Sequence, residues 1–307
     1  MNKKIYLLLL YFFIYLLGYS QQYSVFSGYY HDHYFVNPGS AGSLGSMRLG
    51  LGYKNMWSGF HNSPYFNMFS LDLGINEEMG VGGKLFNYVT GPTSRFGFEG
   101  TYSYSFKLGS GRLRLGLSGL LYDYRLDKSN LDMESGEDIV LYRGTSERKM
   151  VPDASFGVYY HNEKYFLGVS VLQLFGRRID MENSLFIRQV RHYYLLGGYL
   201  FELSEDFSIE PSLMVRLNET MLYQGDFNLK LKFKSVAFVG ISYRGNHNDF
   251  LYSPGDAVVG MLGIDIGDLL VCYGYDYLLS DISNYSNGSH ELIVVVKLGK
   301  GGGVTKL

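Results

Sequence analysis

The segment from Ser94 to Leu108 alternates without a break. Phe96, Phe98, Tyr102, Tyr104, Phe106 and Leu108 take the even positions, and Arg95, Glu99, Thr101, Ser103, Ser105 and Lys107 the odd ones. Successive side chains of a strand point to opposite faces, so this pattern predicts a strand with one aromatic face and one polar face. The same period returns from Met47 to Lys54 and from Arg112 to Leu121. It is cleanest from Met221 to Phe233, where Phe227, Leu229 and Leu231 oppose Asn228, Lys230 and Lys232. Fourteen such segments begin near Met47, Tyr65, Met79, Ser94, Arg112, Pro152, Tyr165, Arg191, Phe207, Met221, Ser235, Ala257, Asp268 and Ser289. Most run nine to fourteen residues. Strands in globular proteins average ~5–6 residues, whereas a tilted strand crossing a bilayer needs ~9–11.

The connections alternate as well. Those after even-numbered segments are short, such as Gly109-Ser110-Gly111, while Leu126 to Val151, Leu174 to Val190 and Arg244 to Asp256 are long. Long strands, an even count and alternating loop lengths predict an all-β fold, a transmembrane antiparallel β-barrel of about 14 strands in the outer membrane. Closure leaves no strand edge unpaired in hydrocarbon. The greasy face then meets outer-membrane lipid and the polar face lines the lumen. The competing reading is a secreted sandwich, whose buried face would alternate too. Composition supports the barrel: 17% of residues are aromatic, with 29 Tyr and 39 Gly against 6 Pro. Mean hydropathy is −0.04, as expected when only alternate residues face lipid. A net charge of −2 without a basic stripe argues against nucleic acid as a partner.

The N-terminus sets the compartment. Lys3 and Lys4 precede an apolar run from Ile5 to Leu17, followed by Gly18-Tyr19-Ser20, which reads as a secretory signal peptide over 1–20. No cysteine follows to take a lipid anchor. The chain then divides into an aperiodic periplasmic or lumenal segment, 21–46, a barrel over 47–298, and a glycine-rich tail, 299–307.

Little in the sequence points to catalysis, and no cofactor is expected. His31-Asp32-His33 holds two imidazoles but specifies no third ligand, and reads as a solvated periplasmic stretch. Gly109 and Gly111 precede a strand and not a helix, so they are turn residues. Ser118 lacks the spacing of a nucleophile elbow, and Cys272 reads as a small strand residue. The lumen face mixes signs, including Arg48, Lys54, Arg95, Glu99, Arg114, Glu210, Asp226, Lys230 and Glu291. Such a mixture can knit a plug or line a water-filled pore. Small inward residues such as Gly50, Gly52, Gly116, Gly240 and Gly274 leave space, and 21–46 is a candidate to fill it. The charged connection from Leu126 to Val151 is either a solvated loop or a recognition surface.

Several motifs together resemble the PorP/SprF family of type IX secretion. They are Asn37-Pro-Gly-Ser-Ala-Gly42, the Tyr-Lys-Asn-Met-Trp that ends at Trp57, the Gly-Pro-Thr at Gly91, and Tyr275 to Leu292. Gly39 stands where the family usually has Ala, and Leu172 where Pro is common. The resemblance implies a non-enzymatic barrel. Its partner would be a large secreted cargo protein with a type IX C-terminal domain of type B, such as a gliding adhesin, exported or anchored at the cell surface with its help. Periplasmic components of the secretion machine are further implied partners. A porin or transporter for small solutes is the alternative. Family-motif positions that fall on this chain are Asn37, Pro38, Ala41, Gly42, Trp57, Asp276, Ser280, Asn284, Gly288, Ser289, His290 and Glu291.

Overall fold

The structure, a computed structural model, describes residues 26–128, 146–180, 186–219, 223–246 and 256–299. Fourteen strands form the wall. The first seven are β1 Met47–Asn55, β2 Tyr65–Gly74, β3 Met79–Thr90, β4 Thr93–Leu108, β5 Gly111–Asp127, β6 Ser146–His161 and β7 Tyr165–Leu172. The rest are β8 His192–Tyr199, β9 Phe207–Asn218, β10 Tyr223–Phe233, β11 Ala237–Asn246, β12 Ala257–Ile266, β13 Leu269–Leu278 and β14 Ser289–Leu298. Strand β8 resumes at Phe201–Glu202 in the same register against β9, with Gly198 opposite Ser212 and Phe201 opposite Ile209. Each strand pairs antiparallel with its sequence neighbours, and β1 pairs with β14 from Met47 opposite Leu298 to Asn55 opposite His290. The sheet therefore closes on itself, as the alternation predicts.

All strand starts but one fall within two residues of the expected positions. The exception is β6, which begins at Ser146 and not near Pro152, while β5 continues to Asp127. Thus Glu147, Arg148 and Lys149 lie on a strand and not in a loop, with Arg148 opposite Arg125 and Ser146 opposite Asp127. These ends carry charge on their outward side, so the apolar alternation stops although backbone pairing continues. At 16 and 17 residues, β4 and β5 exceed the length a bilayer requires, and with β6 they rise past it at the long-loop end. A short hairpin, Arg178–Asp180 paired with Phe186–Arg188, leans back on this wall. Ile179 is buried there with Leu120, Tyr122, Tyr124 and Val151. The signal-peptide reading of 1–20, the tail beyond 299 and most of the charged connection after β5 lie outside the described residues.

Face assignment follows parity throughout. In β10, Tyr223, Phe227, Leu229 and Phe233 are exposed on the outside, whereas Asp226, Asn228 and Lys230 are buried inside. The fold's core is the lumen itself. Phe227→Arg, near mid-strand on the outer face, is expected to cost ~2–4 kcal/mol if it lies at the bilayer midplane. Lys232→Gln, an inward position near the strand end, should cost less than about 1 kcal/mol. Urea titration followed by heat-modifiable gel mobility compares them; equal losses would contradict the face assignment.

Candidate functional site

Residues 26–46 have neither a helical nor a strand period, and they fold as short turns held by local caps. Three 3₁₀ turns occupy Ser27–Tyr30, His33–Phe35 and Pro38–Ser40. Asp32 caps the second by accepting from the Tyr34 backbone N–H at 3.0 Å. Asn37 caps the third by accepting from the Gly39 N–H at 2.8 Å, with Pro38 supplying a pre-set φ at the first position. The segment lies inside the barrel. Phe26, Tyr29, Tyr30 and Phe35 share one buried cluster with the inward Phe66, Met68, Tyr159, Phe166 and Tyr194. Inward glycines make the room: a Cβ would come within 2.0 Å of the Phe26 ring at Gly52, and 2.3 Å of the Pro38 carbonyl at Gly116. At Gly157 it would stand 2.1 Å from the Asn37 carboxamide oxygen.

Hydrogen bonds tie this segment to strands around the circumference. The Asn37 amide donates to the carbonyls of Val158 on β6 at 3.0 Å and Val169 on β7 at 3.4 Å. Ser170 donates to the Val36 carbonyl, Ser103 to that of Ala41, and Lys230 to that of Tyr30. The Tyr34 hydroxyl donates to Thr101 at 2.8 Å. These bonds satisfy backbone groups that would otherwise be buried unpaired.

Charge is arranged in two knots. In the first, Arg48 bridges Asp32 of the lumen segment at 2.9 Å and Asp72 of β2 at 2.7 Å, and Asp72 accepts from the Gly42 N–H. In the second, Lys54 lies 2.8 Å from Asp276 and 3.2 Å from Glu291. Arg244 joins Asp276 at 3.0 Å to Asp226 at 3.2 Å. Ser27 donates its N–H to Glu291 and accepts from Arg244, and the Tyr29 hydroxyl donates to Asp226 at 2.9 Å. All these side chains are almost wholly buried. Buried charges add little net stability when paired, but removing one partner strands the other and is strongly unfavourable.

The family-motif positions do not form a single site. Asn37, Pro38, Ala41 and Gly42 lie in the lumen toward the short-turn end, where Gly42 sits against Gly74 and Gly80 at φ +67°. Asp276 and Glu291 belong to the second charge knot, nearer the long-loop end. Trp57, Gly288 and Ser289 stitch two loops together at the rim. The Ser58 N–H donates to the Gly288 carbonyl at 2.7 Å, the Asn287 N–H to the Ser58 carbonyl at 2.7 Å, and the Trp57 N–H to the Ser289 hydroxyl at 3.1 Å. Trp57 adopts φ +52°, a strained value for so bulky a residue. Ser280 precedes the exposed turn Asp281–Asn284, and Asn284 is exposed. His290 faces outward, its ring 2.6 Å from the Tyr273 hydroxyl.

His31-Asp32-His33 is not a solvated stretch. Asp32 is fully buried on Arg48, His33 meets the Tyr159 hydroxyl at 2.7 Å, and His31 packs on Phe238. The turn splays these side chains apart, and among the described residues no group of three or more His, Cys, Asp or Glu is placed to hold a metal ion. Arg48, Lys54, Asp226 and Glu291 are readable as inward from parity. Asp72 and Arg244 obey the same parity and belong with them. Ser27, Tyr29 and Asp32 carry no such signal, because their segment has no period.

Two predictions follow from this packing. Arg244→Met should cost about 3–5 kcal/mol by stranding Asp226, while Asp276 keeps Lys54, whereas Arg148→Ala, at the exposed end of β6, should cost under about 1 kcal/mol. Unfolding titrations measure both, and similar losses would contradict the network. Acid, in turn, should loosen the lumen segment. Burial pushes His33 down to about 3 and His31 below its usual value as well, so both resist protonation while docked. Docking at pH 5 therefore loses about 2 kcal/mol through His33, and His31 acts in the same direction. Asp32 works the other way: burial, opposed by Arg48, raises it to about 6, so docking recovers about 1.4 kcal/mol between pH 7.5 and 5. The histidines outweigh it. Hydrogen exchange over 27–40, corrected for intrinsic pH dependence, should show less protection at pH 5 than at 7.5; equal or greater protection would contradict this balance.

Comparison with known proteins agrees with this architecture. The toluene transporter TbuX of Ralstonia pickettii superposes with a TM-score of 0.52 at 8% identity, covering 86% of this chain and 92% of that one. The CymD monoaromatic hydrocarbon channel gives 0.49 at 10% identity, covering 91% and 94%. At 8% identity the likeness to TbuX is one of fold: an outer-membrane barrel. No curated protein matches the sequence significantly. A family model described as type IX secretion system membrane protein PorP/SprF matches residues 18–296. With nearly its whole length matched and an outer-membrane barrel as its fold, this chain belongs to the PorP/SprF family of type IX secretion system membrane proteins.

Proposed function

We propose that the protein is a non-enzymatic outer-membrane partner of type IX secretion that supports export or surface anchoring of a large cargo protein with a type B C-terminal domain. The observation that supports this reading is the occupied lumen. Residues 26–46 bond to strands around the wall, which makes the barrel a stiff body with polypeptide packed in its lumen. A rigid scaffold lowers the ordering cost of gripping a partner at its loops. The family-motif positions then divide into two jobs. Asn37 to Gly42, with Asp276 and Glu291, lock the lumen segment, while Trp57, Ser280, Asn284 and Gly288 present the outer rim to the cargo.

The second reading, a porin for small solutes, draws on a polar cavity of about 640 Å³ that opens toward the short-turn end. His33, His161, Lys230, Lys232 and Lys297 line it. On the other side of the lumen segment lies a cavity of about 60 Å³, lined by Phe26, Phe35 and Phe66 together with Arg95, Glu99 and Arg216.

Affinity purification from native outer membranes should recover a large surface protein in near-equal amount. In planar bilayers the full chain should be nearly silent, and a chain lacking 26–46 should conduct. Open conductance of the full chain with no co-purified partner would favour the porin. Asn284→Ala should release cargo without altering heat-modifiable mobility, whereas Asn37→Ala should lower barrel stability by about 1–3 kcal/mol.

A further inference from the structure

The lipid-facing wall carries a polar pair that barrel packing does not use. Asn67 on β2 and Asn87 on β3 stand directly opposite each other and share their face with Phe69 and Leu85. Neither side chain makes a hydrogen bond among the described residues. Both line a groove of about 410 Å³ on the outside of the barrel, whose other walls include Leu51, Tyr53, Phe69, Leu85, Phe96 and Leu292. The register puts Tyr53 beside Asn67 and Phe96 beside Asn87, so the two carboxamides sit between aromatic rings in one row. The next row toward the periplasm is Leu51, Phe69 and Leu85. Below it Gly83 stands opposite Gly100, between Leu71 on β2 and the Phe98 ring, which lies within van der Waals reach of both glycines.

An unpaired carboxamide against hydrocarbon is costly, and any apolar residue would avoid the cost. Depth narrows what could offset it. Asn67 lies two residues below Tyr65, the outer end of β2, and Asn87 three below Thr90 on β3. That is roughly 7–10 Å of strand, the level of the outer aromatic girdle, where acyl chains meet headgroups. A carboxamide offers one acceptor and two donors, so it pairs reciprocally with another amide. An ester has no donor and would leave the acceptor unmet.

We propose that this groove binds an outer-leaflet lipid whose acyl chain is attached through an amide. The linkage pairs with Asn67 and Asn87 while the chain runs over Phe69 and Leu85 onto the Gly83–Gly100 step between Leu71 and the Phe98 ring. The site is independent of the cargo reading, since it rests on the wall alone. Amide-linked chains occur both in ceramide-based lipids and in lipid A, which differ in headgroup and chain number.

The test is native mass spectrometry of the full chain refolded in detergent and titrated with ceramide phosphoethanolamine, lipid A and phosphatidylethanolamine. The first and last share a headgroup and differ in the linkage. At least one amide-linked lipid should be retained in preference to phosphatidylethanolamine, and the better of the two identifies the source. Asn67→Leu with Asn87→Leu should weaken that retention about tenfold. Gly83→Leu, which fills that step and leaves the polar pair intact, should weaken it as well. Because leucine on a lipid face favours the barrel, heat-modifiable mobility should persist in the double variant. Equal retention of all three lipids, undiminished retention in the double variant, or a lipid-free dimer that buries the groove would each overturn the proposal.

Discussion

Everything in this molecule depends on the pairing of β1 with β14. An open sheet in hydrocarbon would leave two rows of unpaired backbone groups, and no side-chain packing could compensate for them. Nine opposed pairs from Met47–Leu298 to Asn55–His290 remove that edge. The same seam places Arg48 and Lys54 inward from one strand and Glu291 inward from the other. Closure therefore does two things: it satisfies the backbone, and it assembles the charges that grip residues 26–46.

Why the lumen should be filled with polypeptide follows from the wall. Fourteen strands enclose more space than short inward residues can occupy, and Gly52, Gly116 and Gly157 leave still more. Water could fill that space. Instead the aromatic rings of Phe26, Tyr29 and Phe35 take part of it, and the wall's ions bond to the segment that carries those rings. A strand residue reduced to glycine is thus the complement of a bulky group on another part of the chain. Gly52 against Phe26 is the clearest case, because any side chain there would overlap the ring.

The barrel was legible because its constraint is periodic. Lipid on one side and polar groups on the other force alternation onto every span, so strand count, order and facing can be read without a structure. Legibility ended where that constraint ended. Arg125 and Arg148 lie on paired strands that have left the bilayer, so their outward positions no longer need to be apolar. Asp32 is buried, yet its segment is held by caps and ion pairs that have no period, and its neighbours His31 and His33 looked like solvated polar residues. Asn67 and Asn87 are the converse case. They obey the strand's parity while breaking its chemistry, and a count of alternating positions absorbs two such breaks without notice.

The family motif, scattered over the first and last parts of the barrel, becomes mechanically coherent once the seam is in view. Strand β1 bears Arg48, which holds Asp32, and six residues later Lys54, which holds Asp276 and Glu291. Three residues beyond Lys54, just past the end of β1, the chain reaches Trp57, whose N–H is fixed by Ser289 at the start of β14. One short column thus joins the lumen segment, the charge knot and the stitched rim. Load applied at the rim would pass into backbone pairs and buried ion pairs, and not into flexible loops. The strained φ of Trp57 fits this view, since such a conformation persists only where its surroundings over-determine it. Under the anchoring role proposed above, this column is the part of the wall that would carry the load.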